Sequence, residues 1–193
     1  MKNTYSEQWA PFESIALGTI FSVGAVVIVV VPFLVPRSLL SSWDSLPKIY
    51  DSLAAIFPYL GRSLPLSKDP DFYIISKVIL FCVGTACVVI CSLVPLSRNV
   101  VVRNHSVVDK ARNSIWWFWL FFALTGYGIF FETYKLDHSL SFPSKTAVEF
   151  PLGITVGNLV QFGVFVLAAS YMILVKHYFR IRNIWKSQHV DTN

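Results

Sequence analysis

The chain has 193 residues, of which 54% are hydrophobic and only 14% charged, and its mean hydropathy is +0.57. Soluble domains carry roughly 25% charge, so this composition excludes an ordinary water-soluble fold, and 16% aromatic residues exclude a disordered chain. Three cysteines are too few for a disulfide scaffold. The formal net charge of +5 is read as a report of membrane orientation, not as an attraction for nucleic acid.

Four apolar runs follow one another, at residues 12–36, 72–96, 115–131 and 152–175. About 20 residues cross the ~30 Å hydrocarbon layer as a helix, so the first, second and fourth runs are long enough and the third is near the lower limit. Alternation of polar and apolar residues, which barrel strands require, is absent. The expected fold is an all-α membrane protein, a four-transmembrane-helix bundle forming one polytopic domain over residues 1–193.

Spans in lipid associate through close packing and hydrogen bonds, so small residues mark the expected contact faces. Ser14, Gly18 and Ser22 form a ridge spaced by four in the first span, and Gly84, Cys87 and Cys91 a similar stripe in the second. Gly153 and Gly157 make a GxxxG pair in the fourth. That motif serves packing within a bundle and homodimerisation alike, so both stay open. Cys82, Cys87 and Cys91 all lie in one span with no Cys or His in another, and act as small apolar residues.

Between the first two spans, Arg37 to Asp71 is too apolar to be a plain tether. Trp43, Leu46, Ile49, Tyr50, Leu53, Ile56, Phe57 and Leu60 recur at three- and four-residue spacing. That spacing predicts an amphipathic helix, with Asp44, Lys48, Asp51 and Ser52 toward water. Pro47 suits its first turn, while Pro58 and Gly61 end or kink it. A lid on the bundle and a partner-binding surface are equally consistent with this pattern. Ser67 to Asp71 reads as the turn and N-terminal cap of the second span.

Orientation follows from Lys and Arg near the span ends. The loop between spans two and three has Arg98, Arg103, Lys110 and Arg112 against Asp109, and the C-terminal tail has Lys176, Arg180, Arg182 and Lys186 against Asp191. The other two loops are neutral or slightly acidic, with Lys135 and Lys145 set against Glu132, Asp137 and Glu149 in the last one. Both termini are therefore expected in the cytoplasm. The first span reads as a retained anchor without a cleavage pattern.

One polar cluster is predicted within the bilayer. Lys77 lies about five residues inside span two, Glu132 ends span three on the same side, and Asn158 and Gln161 share one face of span four. An ionisable group at a helix centre costs about 2.5–3.5 kcal/mol on insertion scales. Two readings follow for Lys77: snorkelling to the outer interface, or a seam in which Lys77 pairs with Glu132 above Asn158 and Gln161. Such a seam suits helix register or a partner's helix and is too sparse for an ion path. No HExxH, Walker-type loop or GxSxG occurs, and the expectation is a non-enzymatic protein with no catalytic, cofactor or metal site.

The layout resembles the immunity proteins of A-type pore-forming colicins. The stretches that carry the resemblance are Pro47-Lys48-Ile49 through Asp69, Arg98 to Arg112, and Lys176-His177-Tyr178-Phe179-Arg180. It is a resemblance of topology and length over most of the chain, and no functional residue is transferred through it. It implies a bacterial inner-membrane protein that blocks a pore-forming bacteriocin by engaging its membrane-inserted helices. The alternative is an accessory or assembly subunit of a larger membrane complex, which the aromatic block Trp116, Trp117, Phe118 and Trp119 would suit. Membrane lipid and a membrane-inserted protein are thus the expected partners, without nucleic acid. A claudin-like layout fits poorly, because the first loop has one Trp, Trp43, and no Cys pair.

Overall fold

The computed structural model describes residues 11–93, 105–127 and 149–190, and among them every regular element is a helix. In chain order these are α1 (Pro11–Leu34), α2 (Leu39–Ser42), α3 (Ser45–Ile56), α4 (Pro58–Ser63), a 3-10 turn (Leu64–Leu66), α5 (Pro70–Leu93), α6 (His105–Tyr127) and α7 (Pro151–Val190). Among the described residues two helices are long and apolar enough to cross a membrane, α5 and the Pro151–Ser187 part of α7. In α1, itself 24 residues long, the part whose side chains are described, Gly18–Leu34, is apolar, and α6 opens with ten mostly polar residues before its aromatic block.

α5 is the central helix. Its face carrying Leu80, Gly84, Cys87 and Cys91 meets both α1 and α7. Ile28, Leu80, Cys87 and Phe162 form one buried cluster, and Cys91, Ala169 and Ile173 continue it. Gly84 permits the closest approach: a Cβ there would lie 2.5 Å from Cγ of Phe165. On α1 the close approach is at Gly24, where a Cβ would lie 2.8 Å from Cζ of Phe162 and 3.0 Å from Sγ of Cys87.

The small-residue ridge expected on α1 is a different face. Gly18 and Ser22 are exposed, and nothing lies within 4 Å of a Cβ built at Gly18; the side chain of Ser14 lies outside the described residues. Spacing by four identifies a groove on a helix but not the neighbour that fills it. Gly18 and Gly24, six residues apart, lie about 120° apart around a 3.6-residue helix, on different faces. Gly153 and Gly157 are half-buried in the first turns of α7.

The loop after α1 folds into a cap over one end of the bundle. α3 buries Leu46 and Tyr50 and half-buries Leu53 and Ala54, which pack with Tyr59, Leu60, Phe72 and Tyr73. The expected single stripe divides here. Trp43, before α3, is 53% exposed, and Ile49 and Ile56 are 39% and 61% exposed, because at about 100° per residue the two isoleucines sit roughly 60–120° round the helix from the buried Leu46 and Tyr50, with half-buried Leu53 between. Asp44, Lys48, Asp51 and Ser52 are exposed as the pattern predicts. α3 ends at Ile56, and Pro58 opens α4 at a position where its missing N–H is harmless.

Arg37 and Asp69 tie the ends of α1 and α5 together. The Asp69 carboxylate accepts the Phe72 N–H at 2.9 Å, an N-terminal cap for α5, and pairs with Arg37 Nε at 3.2 Å. Arg37 Nη1 in turn donates to the Pro32 and Val35 carbonyls at 3.2 and 3.3 Å. A cation thus faces the carbonyl end of one helix and an anion the amide end of the other, each favourable to the helix dipole. Close by, the Lys68 backbone N–H donates to the Glu149 carbonyl at 3.0 Å, and Lys68 Nζ sits 4.2 Å from the centre of the Phe150 ring.

α7 continues unbroken past the expected end at Val175, for 40 residues, about 60 Å at 1.5 Å each. Its second half is held by α6: Phe118 stacks on Tyr171 at 6.1 Å, and buried Ile181 packs with Ala111, Tyr178, Ile184 and Trp185. Lys176 Nζ donates to the Ser92 carbonyl at 2.5 Å, joining α7 to the last turn of α5.

Candidate functional site

Three of the four residues of the expected polar cluster, Lys77, Asn158 and Gln161, meet between α5 and α7. Lys77, the eighth residue of α5, is 4% exposed. Its Nζ donates to Asn158 Oδ1 at 2.6 Å and to Gln161 Oε1 at 2.7 Å. Asn158, three residues from Gln161 and on the same face of α7, is fully buried, and its Nδ2 donates to the Ser76 carbonyl at 3.4 Å. The pair of amides therefore clamps the ammonium while one of them reaches back to the backbone of the helix that carries it.

Two aromatic rings complete the surroundings. The centre of the Tyr73 ring is 5.3 Å from Nζ and that of Tyr59 is 6.0 Å away, within the range of cation–π attraction. Tyr73 lies four residues before Lys77 and so shares its face, a signal readable from spacing. Tyr59 comes from the cap, and nothing in its local sequence points to Lys77. The cap is itself fixed from below: Tyr50 donates its hydroxyl to the Leu60 carbonyl at 2.8 Å, and its ring meets that of Tyr73 edge-on at 6.3 Å.

Among the described residues no carboxylate lies within ion-pair distance of Lys77. Glu132, the expected partner, lies outside the described residues. Thr155 is buried one turn nearer the cap but returns its hydroxyl to the Pro151 carbonyl at 2.9 Å. The ammonium is therefore held by carbonyl dipoles and rings. Hydrogen bonds to a charged group are worth about 1.5–3 kcal/mol each, which offsets part of the cost of taking the group out of water. Snorkelling is not the arrangement found: the side chain turns into the bundle and its head is enclosed.

Enclosure limits what this cluster can do. Ser76, Asn158, Gln161 and Lys77 present almost no surface, and the ammonium's neighbours are acceptors, so the arrangement sets the rotation and height of α7 against α5. The cysteines, also on α5, are distributed similarly: Cys87 and Cys91 are buried in packing clusters, and Cys82 is exposed. Among the described residues no group of three His, Cys, Asp or Glu comes together. Compared with protein-family models, curated proteins and solved structures, the chain matches none.

Proposed function

We propose that the chain is a four-span protein of a bacterial inner membrane that acts by binding, and that its partner is the membrane-inserted helical part of a pore-forming bacteriocin. α1, α5, α7 and the apolar run that begins in α6 supply the spans, with both termini cytoplasmic and the cap of α3 and α4 outside. The observation that carries this reading is the division of the cap's apolar residues into a buried set and an exposed set. One, with Leu46 and Tyr50, is used in closing the bundle; the other, Trp43, Ile49 and Ile56, faces outward among Asp44, Lys48 and Asp51. An exposed apolar set rimmed by charge on the outer face is where a toxin arriving from the periplasm would first meet the protein.

The test is to express the chain in a sensitive strain and challenge it with a pore-forming toxin encoded beside its gene. Protection is expected, and Ile56→Asp or Trp43→Asp should abolish it while membrane insertion persists. Full killing despite insertion discards immunity. Reporter fusions after Lys110 and after Lys145 should report opposite sides, and the same side for both would sink the four-span arrangement. A second reading, an accessory subunit of a larger complex, draws on the exposed rings of Trp116, Trp117 and Trp119 on α6. Copurification with such a complex would favour it.

A further inference from the structure

The exposed side of α6 is not uniform along its length. Asn113, Ser114, Trp117, Phe118 and Phe121 line an open groove of about 640 Å³. An amide and a hydroxyl stand at one end and three rings at the other. From Asn113 to Phe121 the groove runs about 12 Å at 1.5 Å per residue, most of the ~15 Å that one leaflet's hydrocarbon occupies.

Contacts with α7 give its level in the bundle. Phe118 stacks on Tyr171 and Ala111 packs beside Ile181, so the polar end of the groove lies alongside residues between those two on α7. Lys176 and Arg180 are on that stretch, and Lys176 is bonded to the final turn of α5. Arg112 adjoins Asn113, largely exposed, and its only described acidic neighbour is Asp109 at 3.3 Å. The polar mouth therefore opens where charge begins on α6 and α7, beside the last turn of α5, and the charge there is predominantly positive.

We infer that this groove binds one anionic phospholipid of the cytoplasmic leaflet, with an acyl chain against Trp117, Phe118 and Phe121 and the phosphate at Asn113, Ser114 and Arg112. The inference rests on the membrane-spanning reading given above. Polarity changes along the groove, which matches an amphiphile lying along the membrane normal. A partner helix would instead need an apolar stripe continuing through the polar end. Trp at this level also suits the interfacial belt that indole rings favour.

The experiment reconstitutes the full chain in phosphatidylcholine vesicles doped with either brominated phosphatidylglycerol or brominated phosphatidylcholine. Tryptophan quenching is compared between the wild type and Trp117→Phe, so that the difference isolates Trp117. Quenching of Trp117 by the anionic lipid at lower mole fraction than by the zwitterionic one is expected. Arg112→Gln should reduce that preference ~5-fold, the equivalent of about 1 kcal/mol for one basic residue at the surface. Equal quenching by both lipids overturns the site and leaves the spanning reading standing. Quenching of other tryptophans but not of Trp117 overturns it in favour of a protein covering the groove. No quenching by either lipid overturns both the site and the spanning reading.

Discussion

Replacing Asn158 with Leu tests whether Lys77 is held as described. The change removes the acceptor at 2.6 Å and leaves Gln161 as the remaining carbonyl side chain on a buried ammonium. Two scales compete for the magnitude. Interhelical hydrogen bonds in lipid average about 0.6 kcal/mol with a maximum near 1.7, whereas bonds to charged groups reach about 1.5–3. The upper scale should govern, because the head of Lys77 is enclosed and no water replaces the lost acceptor. We expect Asn158→Leu to destabilise the protein by about 2 kcal/mol. By contrast, the triple change Lys77→Met, Asn158→Leu and Gln161→Leu, which removes charge and acceptors together, should stay within about 1 kcal/mol of wild type. Reversible unfolding in mixed micelles, followed by tryptophan fluorescence, measures both. A double-mutant cycle between Lys77→Met and Asn158→Leu should show coupling of about 1.5 kcal/mol or more. Additive single effects, or an Asn158→Leu protein within about 0.5 kcal/mol of wild type, would refute the arrangement.

Gly84→Ala should destabilise by about 1–3 kcal/mol through the clash with the Phe165 ring, and Phe165→Leu should recover part of the loss, whereas Gly18→Ala should be neutral or slightly stabilising; thermal unfolding in detergent separates the two. Asp69→Ala should lose about 1 kcal/mol with the cap of α5, and the same assay should show Arg37→Gln causing a smaller loss. Burial, with the nearby Asp51 charge adding to it, pushes the Tyr50 phenol above its ordinary 10.0. Above that pH the unfolded chain releases this proton and the folded one retains it, so stability should fall as pH rises past 10.0. Tyr50→Phe should remove this contribution to the alkaline slope while losing about 1 kcal/mol near neutrality with the bond to Leu60, as read from unfolding midpoints across pH.

What the sequence made legible follows from how local each signal is. α5 and the start of α7 stand out because a sustained high mean hydropathy is a property of the run itself. Asn158 and Gln161 are placed on one face by spacing, and a lone Lys in a neighbouring apolar helix can reach them, so three members of the cluster are readable. Tyr59 was not, since its position depends on how the cap folds back. The ridge at Gly18 shows the same limit: small residues permit close approach, but the neighbour decides which glycine is used, and Gly24 is the one covered by Phe162. The length of α7 was missed for another reason. Basic residues after Val175 end the apolar run, yet Ile181, Ile184 and Trp185 recur at helical spacing among them, a stripe that α6 covers.

Because α7 is one unbroken helix from the ammonium clamp to Ile181, its two ends share a single rotational phase. An α-helix resists twisting, so the angle at which Asn158 faces Lys77 also dictates which side of α7 arrives opposite Ala111. The clamp therefore clocks the far end. A one-residue insertion between Gln161 and Tyr171 would turn everything beyond it by about 100°, leaving the clamp intact while Tyr171 swings away from Phe118 and Ile181 from Ala111. Substitutions along this rod are tolerated by size, but its length in residues is a fixed dimension of the molecule.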